Sequence, residues 1–253
     1  MKQIDLKPYG LLRPEKIVWR FPNAPDVMNT IKSKSLISFL KKSKQILDKN
    51  ELAINFVNFN KKMFLDWLPY YQAKMKENNY ELLASGEWYD KKIEKGLSVH
   101  GIMMYQKNEL VGSLIFTKRH TDFCSIAFRA SDRIDLNTGS KGSIGALLDY
   151  AFYKDMTEQK IEIISAGTSR NAFGVINTLG NFNYKLRFGL IPQPAKKSLL
   201  TDFVPVNDLG YAVFFAIKEG QLFLVTLKPI DLSLDIEGNR YLPENIDRQI
   251  IEY

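Results

Sequence analysis

The chain has 253 residues, 45% of them hydrophobic and 25% charged, an ordinary globular composition with length enough for a sizeable core in one large domain or two small ones. One Cys and two His exclude a disulfide framework within the chain and argue against a zinc or His-rich metal site, so no metal is expected. The net charge of +7 is uneven: residues 1–50 hold 11 Lys/Arg against 4 Asp/Glu, and the rest of the chain holds 24 of each. No apolar run in the manner of a signal peptide follows Met1-Lys2-Gln3-Ile4-Asp5, and no 18-residue apolar run exists, so a cytoplasmic protein without a membrane span is expected.

In chain order, Lys16–Phe21 reads as a strand and Phe21-Pro22-Asn23-Ala24-Pro25-Asp26 as a turn. Residues 31–48 read as one basic helix. Lys32, Lys34, Lys41, Lys42, Lys44 and Lys49 supply most of the charge excess of residues 1–50, and Leu36, Phe39, Leu40, Ile46 and Leu47 give the same stretch an apolar stripe. Two readings stay open for this helix. It is a surface for phosphates (tRNA, a membrane face or a nucleotide-linked substrate), or it is a solvated face packed on the main body by its stripe. Residues 1–50 are accordingly expected to form a basic strand–helix extension packed on a main domain of residues 51–253. Leu52–Phe59 reads as a strand. Phe64, Trp67, Leu68, Tyr71 and Met75 mark a helix over Lys61–Lys76, kinked or split by Pro69, and a short helix follows over Trp88–Lys95.

Val99–Gln106, Leu110–Thr117 and Phe123–Ala130, joined by short polar turns, predict an antiparallel meander. A Gly/Ser/Lys loop at Asp135–Ser143 leads into a helix over Ile144–Thr157. A strand is expected at Lys160–Ser165, a turn at Gly167-Thr168-Ser169-Arg170-Asn171, a short helix over Ala172–Leu179 ended by Gly180, and a strand at Tyr184–Leu190. A hairpin closes around Glu219-Gly220, and 229–253 carries few signals. This order predicts an α+β fold, three layers with helices on both faces of a mixed, mostly antiparallel sheet.

The loop Asn137-Thr138-Gly139-Ser140-Lys141-Gly142-Ser143 joins a strand to a helix. The first N–H groups of a helix lack intrahelical partners and sit at the positive end of its dipole, so small residues there let a pyrophosphate approach, and Lys141 would add a point charge. The pattern is neither a P-loop nor a dinucleotide fingerprint, and a plain strand–helix connection remains the alternative.

A meander, then a Gly-rich loop into a helix, then a strand resembles the acyl-CoA N-acyltransferase (GNAT) superfamily, whose loop holds the pyrophosphate of coenzyme A. The resemblance implies that Lys141, Gly142, Ser143, Ile144 and Gly145 bind that group, the stretch Lys141-Gly142-Ser143-Ile144-Gly145-Ala146 being a loose match to the superfamily's loop. It implies that Phe128, Arg129 and Ala130 on the third meander strand offer main-chain N–H groups to the acyl carbonyl, and that Ser169 and Asn171 contact pantetheine. The run Ser165-Ala166-Gly167-Thr168-Ser169-Arg170, followed by Tyr184-Lys185-Leu186-Arg187-Phe188-Gly189, resembles the FemAB-like branch, with its aromatic-Lys-x-x-Phe-Gly strand. Carried over, Lys185 would stabilise the oxyanion of the tetrahedral intermediate and Tyr184 would shape the channel, with a strand lysine snorkelling to solvent as the alternative.

No general base stands out among His100, His120, Glu87, Tyr150 and Glu162, and Cys124 reads as a small core residue. The resemblance implies an N-acyltransferase moving an acyl group, typically acetyl, from acetyl-CoA or another acyl-CoA as co-substrate to a small amine such as an amino sugar or amino acid. An aminoacyl-tRNA-dependent transferase of the FemAB type, with tRNA as partner, and a non-catalytic binding domain of the same fold are the alternatives.

Overall fold

The computed structural model describes residues 2–22, 24–136 and 142–253. In chain order its elements are β1 (Gln3–Asp5), β2 (Arg13–Pro14), β3 (Lys16–Phe21), α1 (Lys34–Lys41), α2 (Ser43–Lys49), β4 (Leu52–Asn58), α3 (Lys61–Glu77) and α4 (Gly86–Glu94). There follow β5 (Ser98–Gln106), β6 (Glu109–Arg119), β7 (Phe123–Ser131), α5 (Ile144–Glu158), β8 (Ile163–Arg170), α6 (Leu179–Arg187) and β9 (Ile191–Pro194). The last are β10 (Leu200–Thr201), β11 (Phe203–Pro205), β12 (Ala212–Lys218), β13 (Gln221–Lys228) and β14 (Asp247–Glu252). The architecture is the expected one: a mixed α/β fold with a large, mostly antiparallel sheet flanked by helices.

The chain divides into two compact units, a central one (residues 23–166) and a terminal one (residues 1–22 with 167–253). The boundary expected at residue 50 falls inside the central unit, between α2 and β4.

In the central unit, β4, β5, β6 and β7 form an antiparallel meander. Lys107 (φ 48°) and Asn108 (φ 71°) make the tight β5–β6 turn, and two consecutive positive φ values match the right-handed twist of the flanking strands. A register shift between Ile115 and Phe116 leaves Ala127 as the extra residue of β7, a bulge that bends the strand. Period-two alternation then sends neighbours to opposite faces. Ile115 and Phe128 join Phe64, Trp67 and Tyr71 of α3 and Tyr89 of α4 in one aromatic core, while Phe116 meets Phe152 of α5 edge-on at 5.0 Å.

Two helical expectations change here. The single basic helix is two, α1 and α2, with a break at Lys42 (ψ 7°). Helix α3 runs unbroken through Pro69 for 17 residues, with Asn60 Oδ1 accepting from Met63 N as its N-cap. Burial of Phe64, Trp67, Leu68, Tyr71 and Met75 along one stripe outweighs the one hydrogen bond a proline cannot donate.

In the terminal unit β3 pairs antiparallel with β9 and neighbours β8, and the predicted hairpin β12–β13 takes β14 as a parallel third strand. Three local expectations are corrected. Residues 167–171 are not a free turn: β8 continues to Arg170, bent at Gly167 (φ 87°), a conformation that glycine adopts without strain. Residues 172–178 form no helix: Phe173 instead exchanges two backbone hydrogen bonds with Val213, at 2.7 and 3.0 Å. Residues 184–187 are not a strand but the last turns of α6. Thr178 caps that helix by accepting from Asn181 N. Gly189 (φ 76°) ends it in a Schellman motif, with Leu190 N donating to Lys185 O and Gly189 N to Leu186 O.

Candidate functional site

The central unit supplies a main-chain cradle. Ser143 caps α5: its hydroxyl and its carbonyl both accept from Ala146 N, and the carbonyl also accepts from Leu147 N. The amides of Ile144 and Gly145 stay directed out of the helix end. Two glycines set this helix end in place. A Cβ on Gly112 would lie 2.5 Å from Ile144 Cγ2, and one on Gly142 would lie 2.0 Å from the ring of Phe39, so both contacts require a bare backbone. The end of β7 is close by, with Ser131 Oγ 4.0 Å from where a Gly145 Cβ would stand.

Beside the helix end lies an open strand edge. The parallel ladder between β7 and β8 covers only Phe123–Ser125, although β7 continues through the Ala127 bulge to Ser131. From Ile126 onward, the edge of β7 turned away from β6 has no ladder partner among the described residues. The Phe128-Arg129-Ala130 segment lies beyond the end of that ladder. Phe128 and Ala130 point their side chains into the core. Arg129 Nε donates to Asp149 Oδ1 at 2.7 Å, with Asp149 1% exposed. This largely buried ion pair clamps β7 to α5. Burial, reinforced by the Asp149 charge, pushes the neighbouring Tyr153 phenol far up, so it stays protonated.

The terminal unit supplies a side-chain cluster. Lys185 is 4% exposed. Its Nζ donates to Ser169 Oγ at 2.6 Å and lies 5.1 Å over the ring of Trp19, while Trp19 Nε1 donates to the same oxygen at 3.2 Å. Phe173, Phe182 and Phe215 surround that indole edge-on. An ammonium that donates to a hydroxyl and lies over an indole face is a concentrated positive charge in a poorly solvated place. Tyr184, one residue earlier on α6, is half-buried against Phe188 at 5.0 Å.

Of the other sequence-predicted residues, Asn171 is fully committed to the fold. Its Nδ2 donates to Pro14 O and Phe215 O, and its Oδ1 accepts from Phe215 N. Its backbone N–H donates to Glu15 O, and its carbonyl accepts from Arg13 Nη1. Lys141 lies outside the described residues, as does the Asn137–Ser140 part of the loop. His100 is at the opposite end of α5 from Gly142. Its ring nitrogens lie 2.6 Å from Asn58 Oδ1 and 2.7 Å from Ser98 Oγ, and burial and Lys118 lower its pKa. With Lys118, Asp155 and Gln159 it lines a groove of about 390 Å³. Cys124 is fully buried, and burial pushes its thiol up to about 12, as a core residue requires. Among the described residues no group of three or more His, Cys, Asp or Glu could hold a metal, and no helix is long and apolar enough to cross a membrane.

Sequence reasoning missed Trp19, Asp149 and the Ala127 bulge. A lone carboxylate inside the apolar stripe of α5 was a readable signal for Asp149; a bulge leaves none in one sequence.

No protein-family profile and no curated protein matches the chain. Among solved structures, FemX is similar with a TM-score of 0.50 at 10% identity, over 75% of this chain and 65% of FemX. A conserved protein of unknown function from Bacteroides thetaiotaomicron gives 0.47 at 14% identity, over 74% of this chain and 58% of that one. A tandem GNAT protein from the clavulanic acid biosynthesis pathway gives 0.43 at 10% identity, over 79% and 58%. The chain thus spans 58% to 65% of the length of these structures. At such identity the likeness is one of fold alone: a mixed α/β fold with a large, mostly antiparallel sheet, like that of FemX.

Proposed function

We propose that the protein is an acyl-CoA-dependent N-acyltransferase acting on a small amine such as an amino sugar or amino acid. The observation that carries this reading is the pairing, within the central unit, of a capped helix end with outward amides and a strand edge open beyond Ser125. A diphosphate suits the first, through N–H donors and the positive end of the helix dipole. An extended pantetheine arm suits the second, because its amides can hydrogen-bond to a strand edge as another strand would. The Arg129–Asp149 clamp keeps the two in register.

The reaction follows from these parts. The acceptor amine attacks the thioester carbonyl carbon, and the tetrahedral oxyanion is stabilised by N–H groups of the Phe128–Ala130 segment. The C–S bond then breaks, an amide forms, and the thiolate of coenzyme A takes up the proton the amine loses. Lys185 is proposed as a cation that stabilises the developing negative charge and Tyr184 as a wall of the acceptor channel. The buried ammonium of Lys185 supports its part in this reading.

The test is release of free thiol from acetyl-CoA in the presence of a panel of amino sugars and amino acids. Amine-dependent release, with a mass gain of one acetyl group on the amine, is expected; thiol release that no amine accelerates would overturn the proposal.

A further inference from the structure

We infer that the lysine face of α1 and α2 docks the protein electrostatically on an anionic phospholipid surface. Residues 31–50 hold six lysines against one acid, Asp48, and the structure exposes them: Lys32, Lys34, Lys41, Lys42, Lys44 and Lys49 are all solvent-facing. Elsewhere in the same unit several exposed lysines pair with acids, as in Lys61–Asp90, Lys62–Asp66, Lys91–Glu87 and Lys107–Glu51, while Lys76, Lys95 and Lys160, unpaired among the described residues, are scattered along the chain rather than clustered. Among the described residues none of the six lysines of the patch forms an ion pair. Lys41, Lys42, Lys44 and Lys49 line one shallow groove with Gln45 and a single acid, Asp48. Like charges held this close on short, packed helices repel each other, so a polyanion relieves a cost that the fold itself carries.

The composition of the patch favours a lipid surface over nucleic acid. Residues 31–50 contain no arginine, so the planar fork that grips individual phosphates is missing. Their one aromatic residue, Phe39, is 1% exposed, so no ring is available to stack a base. Six mobile point charges instead match the diffuse negative potential of a bilayer. The apolar stripe is spent on the protein's own core, with Leu36, Phe39, Leu40 and Ile46 buried. Docking is therefore superficial and salt-sensitive, without insertion. It stands independently of the proposed catalytic reading.

The experiment is co-sedimentation with phosphatidylcholine vesicles made with and without phosphatidylglycerol, at low and high salt. Binding only to the phosphatidylglycerol vesicles, lost at high salt, is expected. Removing Lys41, Lys42, Lys44 and Lys49 together (each Lys→Gln) should weaken it at least about a hundredfold, at about fivefold per lysine. The control carries Lys61→Gln, Lys62→Gln, Lys91→Gln and Lys107→Gln, which lowers net charge equally outside the patch, and should retain most of the binding. No binding by the native chain at low salt, or equal loss in both variants, overturns the inference. So does tight, patch-dependent binding of an RNA duplex by a protein that ignores the vesicles.

Discussion

The central and terminal units hold their positive groups in different ways. The central unit uses main chain: the outward amides at the start of α5 and the open edge of β7, kept in place by two glycines, a serine cap and one ion pair. The terminal unit uses a side chain, burying Lys185 against Ser169 and Trp19. Main-chain donors add little desolvation cost, because the helix end and strand edge exist anyway. A buried ammonium is costly, and a fold retains one when the charge is used or when removing it would leave its partners stranded. The first arrangement suits a site for a ligand that is always anionic. The second suits charge that appears only during a reaction.

Four perturbations sharpen or break this contrast. The largest effect belongs to Lys185→Met, which keeps the volume but removes the charge: turnover should fall on the order of 10²-fold with little change in the thermal melt. Unchanged turnover would make Lys185 structural. Next is Arg129→Ala, which takes the guanidinium from a carboxylate that is 1% exposed and should cost roughly 3–5 kcal/mol in urea unfolding. The double variant Arg129→Met/Asp149→Leu should recover most of that loss. Gly142→Ala drives a methyl to 2.0 Å from the Phe39 ring and should cost about 1–3 kcal/mol while weakening coenzyme A binding. The smallest effect is that of Cys124. Its thiol should resist alkylation in the folded protein. Because its folded pKa is raised from 9.0 to about 12, its contribution to stability is intact below pH 9 and declines as pH rises from 9 toward 12. A urea series across that range reads the decline, which Cys124→Ala should reduce, most visibly between about pH 9 and 10, below the range in which the buried tyrosines add their own loss.

The same contrast explains what could be read in advance. The meander was legible because alternation, the Lys107-Asn108 turn and flanking polar residues agreed with one another. The cap of α5 was legible through Gly142 and Ser143. Helix α6 was not, and Lys185 is the reason. Tyr184, Leu186, Phe188 and Leu190 alternate with Lys185, Arg187 and Gly189, so the segment imitates a strand. The helical stripe Phe182-Lys185-Leu186 is interrupted by the very residue singled out for chemistry. Gly180 imitated a helix stop, whereas Gly189 is the real one. Asn171 misled differently: a polar residue after a strand suggested a ligand contact, but only the fold reveals that Pro14, Glu15 and Phe215 consume its hydrogen-bonding groups.

The central claim, that main-chain donors of the central unit grip an acyl-CoA, is tested most directly by calorimetric titration of coenzyme A against pantetheine. Saturable binding of coenzyme A, clearly tighter than that of pantetheine and weakened by Gly142→Ala, is the predicted result. No heat with coenzyme A at millimolar concentration, or equal affinity for the two ligands, would contradict it.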